Sequence, residues 1–239
     1  MAISNFKLDC CRLFDAVPLY EQRKGGGENG KYTLHVMVVG YGERMGTILN
    51  SVLTQGQLLD TELCVTVVVP NPKLFLNNLI KTAPALTDFV RIAHGDNVLW
   101  SGADDYLLAD IRLLEAPFKP ETVMAALNSV NTPDYVIVSS GNDEKNFAVA
   151  SALSDSVKAD DTIVAAVRRS DKAGTDVESG IVFFGGKESE KYGSSIEKIA
   201  FNLHYAYAKG ADERKPYSEI KKEFEDPIYM YQISKLPRA

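Results

Sequence analysis

Long apolar runs, clustered cysteines and concentrated positive charge are all missing from this chain. Each absence removes a class of function. No stretch approaches the ~20 apolar residues that cross a bilayer as a helix, and the opening M-A-I-S-N-F-K-L-D lacks the basic region and apolar run of an export signal. The expectation is a soluble, cytoplasmic chain without direct membrane insertion. The net charge is −6, from 26 Lys and Arg against 32 Asp and Glu, with none of the basic patches that hold a phosphate backbone, which argues against a nucleic-acid partner. Cys10, Cys11 and Cys64 have neither metal-site spacing nor the pattern of a disulfide framework, which fits a reducing compartment.

Catalytic signatures are scarce too. There is no G-x-S-x-G elbow, no H-E-x-x-H and no phosphate loop ending in G-K-[ST]. His35 lies within a strand and His204 within a helix near the carboxyl end, where packing accounts for both. His94, in the H-G-D-N loop, is the one histidine worth considering as functional. Asp104, Asp105 and Glu115 have no spacing that forces them together, and a solvated acidic face accounts for them.

What is present is a strand and helix alternation in a chain of 239 residues with 45% hydrophobic content. Residues 1–30 read as an N-terminal extension ending in the glycine cluster G-G-G-E-N-G, a flexible linker. From residue 34 the pattern predicts strands over 34–40, 63–69, 111–114, 135–139, 163–167 and 181–184. It predicts helices over 45–59, 73–82, 120–129 and 144–157, with Asn71 and Pro72 opening the second of these. Residues 93–109 read ambiguously. About six strands alternating with helices point to an α/β fold, a doubly wound and mainly parallel sheet with helices on both faces. The expected nucleotide-binding domain spans 31–187. Residues 188–239 read as a C-terminal appendage, with a helix over 194–209 stopped by Gly210 and a charged, then aromatic tail that suits either docking on the main domain or a truncated second domain.

The run L-H-V-M-V-V-G-Y-G-E-R-M-G, from Leu34 to Gly46, carries the most information. A strand enters a glycine-rich turn that opens a helix, the arrangement that presents backbone amides and a positive dipole end to an anion. Gly40 would turn the chain, Gly42 would let the backbone approach a pyrophosphate, and Gly46 would seat the helix near the sheet. The spacing G-x-G-x-x-x-G is one residue longer than the usual fingerprint. On this motif alone, a ligand site and a plain tight turn stand level. Tyr41, Glu43, Arg44 and Met45 complete the candidate turn, and Arg44 is either a phosphate partner or a solvated arginine at a helix start.

A second run, D-Y-V-I-V-S-S-G-N-D-E-K-N from Asp134 to Asn146, ends a strand in small polar residues. Ser139, Ser140 and Gly141 would lie at the carboxyl edge of the sheet, where open α/β sheets bind ligands. Asn142 or Asp143 reads as a cap, and Glu144 suits the positive end of the helix.

These two runs, with the following strand I-V-A-A-V-R-R, resemble the TrkA N-terminal or RCK family of regulatory domains over residues 32–170. The chain is similar to a bacterial branch with a longer glycine turn. The resemblance implies a Rossmann-like fold and a site for NAD(H), NADP(H) or an adenine nucleotide. It places Gly40, Gly42 and Gly46 at the phosphates and Ser139, Ser140 and Gly141 beside the nucleotide. It further implies a non-catalytic sensor, with a homodimer and a regulated transporter or effector as partners. An NAD(P)-dependent oxidoreductase is the alternative, and an adenylating enzyme stands third for want of its arginine, aspartate and cysteine pattern. One departure concerns the ligand: Pro70 and Asn71 stand where NAD-binding folds carry an acidic residue for the ribose hydroxyls. Asn71 lacks the charge-assisted strength of a carboxylate, and Lys73 is near enough in sequence to meet a 2′-phosphate. NAD(H), NADP(H), an adenine nucleotide and a vestigial pocket all stay open.

Overall fold

The two most β-branched runs of the chain form the centre of one large sheet. In a computed structural model, which describes residues 5–25, 30, 32–82, 87–102, 108–157, 161–168 and 176–185 with positions 216 and 219, the elements follow in order. They are α1 (Asn5–Ala16), a 3-10 turn (Leu19–Gln22), β1 (Lys24–Gly25), β2 (Tyr32–Gly40), α2 (Arg44–Gln55), β3 (Thr61–Val69) and α3 (Pro72–Thr82). Next come β4 (Val90–His94), β5 (Asn97–Ser101), β6 (Ala109–Glu115), α4 (Pro120–Leu127), β7 (Tyr135–Ser139), α5 (Asp143–Val157), β8 (Ile163–Val167), β9 (Asp176–Glu178) and β10 (Ile181–Phe184). The chain divides into two units, Phe6–Lys187 and another formed by Met1–Asn5 with Glu188–Ala239. The large sheet and its helices belong to the first. The helix expected over 194–209, His204, Asp104 and Asp105 lie outside the described residues, as does nearly all of the tail.

The sheet runs β5-β4-β6-β3-β2-β7-β8-β10-β9, with β1 paired to β2 off this path. From β2 the chain moves outward to β3, goes on to the outer hairpin β4–β5 and comes back between β3 and β4 as β6, with β2, β3, β6 and β4 parallel to one another; it then crosses to the opposite side of β2 as β7 and moves outward again through β8 to β10. This is a doubly wound, Rossmann-like α/β sheet. Its direction reverses between β2 and β7, whose carboxyl ends meet where Gly40 pairs with Ser139. Antiparallel strands extend both edges: β5 beyond β4, and β9 beyond β10.

Alternation along the central strands splits the core into two layers, because successive side chains point to opposite faces. One face carries Leu34, Val36 and Val38 of β2 beneath α1, α2 and α3; the other carries Met37 and Val39 beneath α4 and α5. Helix α1 repeats apolar residues at Phe6, Cys10, Leu13 and Phe14, the spacing of one helical face. It packs over the second half of the sheet, with Phe6 stacked on Phe184 and Phe14 edge-on to Tyr135. Burial beneath it pushes the Cys10 thiol up to about 12, so this cysteine is an inert packing group.

Several boundaries differ from those read in the sequence. Helix α2 stops at Gln55 because Gly56 ends it, donating its N–H to the Val52 carbonyl. A Cβ at Gly56 would meet Leu63 at 2.9 Å, and Leu59 lies beyond the helix, 85% exposed. The ambiguous 93–109 stretch contains part of a hairpin: β4 and β5 turn through Gly95 and Asp96, with Gly95 at φ 59°. His94 pairs with Asn97 across that turn, at the carboxyl end of β4, with β6 and β3 between it and β2. Helix α4 ends at Leu127, two residues short of the reading.

The amino end of the switch point is held by Asp134. One carboxylate oxygen accepts the His35 backbone N–H at 2.7 Å and the other meets Lys24 Nζ at 3.1 Å. His35 itself is half-buried on the sheet face, its Nε2 2.9 Å from the Thr66 hydroxyl. Burial holds its imidazole below the ordinary histidine range; the Asp134 carboxylate acts in the opposite sense and Arg112 in the same sense. The unfolded chain therefore binds the proton more readily, and this residue's contribution is complete above ~6.5 and is lost as pH falls below that value toward its folded pKa. Urea unfolding from pH 7.5 down to 5.5 should show stability declining, with a shallower decline in His35→Gln. Equal slopes would mean that His35 is not desolvated by folding.

Candidate functional site

The carboxyl edge of β2 and β3 opens into a cleft of about 620 Å³. Its floor is Val69 and Pro70, where β3 ends, and one wall is the turn Tyr41, Gly42 and Glu43 with Met45 and Gly46 of α2. The opposite wall is α3, through Leu74, Phe75, Asn78 and Leu79, with Asn71 at its start. Tyr41 is held over the edge by an edge-to-face contact with Phe118, 5.4 Å between centroids. Mostly apolar walls with a few placed polar groups are the usual make-up of a small-molecule site.

The glycines of the turn have different jobs from one another. Gly40 is the last residue of β2, at φ 147°, and a Cβ there would overlap the carbonyl of Ser139. Its role is close approach between β2 and β7 rather than the turn read from the sequence. The same carbonyl accepts the Tyr41 N–H at 3.0 Å, so the start of the turn is tied to β7. Gly42 has φ 97° and open space where a Cβ would stand, which leaves the backbone bare toward the cleft. Gly46 sits in the first turn of α2 and lines the cleft.

Helix α2 begins without a side-chain cap: Glu43 occupies the cap position in helical conformation and makes no capping hydrogen bond. The first amides of a helix have no acceptor within it; here the Met45 N–H donates to the Gly42 carbonyl at 3.3 Å, closing the glycine turn onto the helix. By contrast, α3 is capped by Asn71, whose Oδ1 accepts the Leu74 N–H at 2.9 Å. Helix α5 is capped by Asn142, whose Oδ1 accepts the Lys145 N–H at 2.9 Å. Such caps contribute about 1 kcal/mol.

The remaining candidates fall outside the cleft. Arg44 is half-buried, with its guanidinium 4.4 Å above the Phe6 ring. It is neither a solvated arginine nor a residue of the cleft wall, and its charge acts on Asp9, whose carboxyl is raised by burial and lowered in turn by Arg12 and Arg44. Ser139 and Ser140 are buried at the switch point and do not line the cleft. The Ser140 hydroxyl donates to Asn146 Oδ1 at 2.6 Å, and Asn146 Nδ2 donates to the Val167 carbonyl at 2.8 Å, which binds α5 to β8. Ser139 Oγ has no hydrogen-bond partner among the described residues. Gly141 is exposed beyond them. Among the described residues no group of three or more His, Cys, Asp or Glu is placed to hold a metal.

The sequence pattern does not pick out Leu74, Phe75, Asn78 and Leu79. Their spacing puts them along one side of α3, and Asn71 and Pro72 start that helix at the same edge as the glycine turn. Leu74 is 58% exposed at the cleft, and that exposure is invisible in a helical pattern. No family model, curated protein or solved structure matches this chain.

Proposed function

We propose that the unit Phe6–Lys187 binds a nucleotide at this cleft, with phosphate at the Gly42 turn and the nucleoside between α2 and α3. The observation that carries the reading is the start of α2, which has no side-chain cap and opens through Gly42 onto an apolar cleft at the carboxyl edge of β2 and β3. A phosphate there would accept from amides that no side chain satisfies, at the positive end of the helix. The fit extends to the glycine itself: a backbone with φ 97° and nothing above it is a cradle that a side chain would fill.

The proposed role is ligand sensing of the kind implied by the TrkA N-terminal or RCK resemblance, with NAD(H), NADP(H) or an adenine nucleotide as the candidate ligands. Among the described residues, the ionisable side chains of the cleft lining are Tyr41 and Glu43. A sensor works by differential affinity for two states, and a nucleotide-dependent change of assembly or of contact with a regulated partner is the expected readout. Thermal-shift measurements with NADH, NADPH, ATP, ADP and AMP test the binding. A true ligand at 100 times its Kd should stabilise the protein by about 2.7 kcal/mol. No shift with any of them would overturn the reading, and turnover of a bound nicotinamide on addition of small substrates would replace the sensor with an enzyme.

A further inference from the structure

We propose that a second cavity, on the face of the sheet opposite α2 and α3, binds a free amino acid, whose carboxylate pairs with Arg112 and whose ammonium group pairs with Asp110. The proposal is independent of the nucleotide reading.

This cavity measures about 410 Å³. Its floor follows from strand alternation. Thr33 and His35 of β2, Cys64 and Thr66 of β3, and Asp110 and Arg112 of β6 all line it, and the parallel register sets them in rows: His35, Cys64 and Asp110 in one, Thr66 and Arg112 in the next. Two strand spacings separate β2 from β6, about 10 Å, a width suited to a small molecule. Asn131, Thr132 and Asp134, just ahead of β7, form a side wall.

A parallel sheet is ordinarily apolar and covered on both faces. Here β2 and β3 obey that rule in their carboxyl halves, where residues 36–40 and 65–69 are wholly buried. In their amino halves, and along β6 from Ala109 to Leu113, buried residues alternate with exposed or half-buried ones. The result is a polar floor that opens outward beside the centre of the sheet. Two of its polar side chains are deeply set and fix their neighbours. Thr66 is 3% exposed, with its hydroxyl 2.9 Å from His35 Nε2, and Asp134 is 4% exposed, holding the His35 backbone N–H and Lys24 Nζ.

The charges decide the ligand class. Lys24 and Asp134 satisfy one another at 3.1 Å. The other two charged side chains of the lining, among the described residues, are Asp110 and Arg112, of opposite sign and two residues apart on one strand. Asp110 also meets Arg91 at 3.7 Å, but both side chains are largely exposed, and such a contact contributes little. Arg112 lies near enough to His35 for its charge to oppose protonation of the imidazole, so its guanidinium acts into the cavity. A simple anion at Arg112 would be repelled by Asp110, and a simple cation at Asp110 would be repelled by Arg112. A small zwitterion satisfies both, with the planar guanidinium matched to a carboxylate. The hydroxyls of Thr33 and Thr66 offer neutral hydrogen-bonding groups to the rest of the ligand.

Thermal-shift screening of the full chain with each of the common amino acids, followed by titration calorimetry of those that stabilise it, tests the proposal. At least one should bind, and its N-acetyl and methyl-ester derivatives, each lacking one of the two charges, should bind about tenfold more weakly or worse. Arg112→Gln and Asp110→Asn, conservative changes of exposed side chains, should each weaken binding of the free amino acid by about tenfold or more. Bound ligand should also slow alkylation of Cys64, the exposed cysteine of the lining, and leave that of Cys11 unchanged. Absence of binding by every amino acid overturns the proposal. So does a derivative that binds as tightly as its parent, an affinity unchanged in either variant, or Cys64 alkylation unaffected by saturating ligand.

Discussion

Gly40→Ala is expected to lower the stability of the protein by about 3 to 5 kcal/mol, the sum of backbone strain and overpacking that the geometry imposes. The residue has φ 147°, and an added methyl would overlap the Ser139 carbonyl, which already accepts the Tyr41 N–H. The methyl has no side chain to displace: what it meets is the backbone of β7, held in register with β2 from Val36↔Tyr135 to Gly40↔Ser139. Relief would require parting the two central strands of the sheet. A loss of this size is a large share of the ~5 to 15 kcal/mol by which domains are stable. Gly141→Ala is the control, since a Cβ there meets nothing within 4 Å and its φ is not positive; its effect should lie within about 0.5 kcal/mol. Urea unfolding of the three proteins measures both. If Gly40→Ala cost under about 1 kcal/mol, the contact between β2 and β7 would be looser than described.

Gly42→Asp should reduce nucleotide affinity more than 100-fold while leaving the protein folded. Open space surrounds the position, so the folding cost is confined to the strain of a side chain at φ 97°, about 1 to 3 kcal/mol. The binding cost is electrostatic. A carboxylate about 4 Å from a phosphate charge costs about 4 kcal/mol at an effective dielectric constant of about 20, well above the ~2.7 kcal/mol that corresponds to 100-fold. Gly42→Ala carries the same strain without the charge and should keep most of the affinity. Titration calorimetry on the wild type and both variants separates the two terms. Equal affinity in the Asp and Ala proteins would place the phosphate elsewhere.

These two glycines show how far the primary structure can be read. Both stand out in G-Y-G-E-R-M-G, but their roles cannot be told apart there. Gly40 answers to a carbonyl 99 residues further on in the chain, at Ser139, and Gly42 answers to its own dihedral angle. Arg44 is a sharper case. Its position at a helix start suggests a phosphate or solvent, whereas its guanidinium lies on Phe6, a residue of α1. Helix α1 is itself illegible in the sequence, because its aromatic residues pack on strands more than a hundred residues later, Phe6 on Phe184 and Phe14 on Tyr135. The hairpin β4–β5 escapes for a different reason. Its strands are short and half-exposed at the sheet edge, so neither continuous burial nor strict alternation marks them.

Local chemistry alone determined the α/β alternation, the central strands and the cap at Asn71, and narrowed the cap of α5 to Asn142 or Asp143. β-branched runs buried on both faces, capping side chains and glycine turns act over a few residues and leave their mark in the order of the chain. Tertiary structure decided which glycine is sterically obliged, which side of the turn holds the cleft, and where Arg44 spends its charge. Those outcomes depend on groups distant in sequence being brought within a few ångströms, and it is the packing of α1 and the register of β2 with β7 that bring them there.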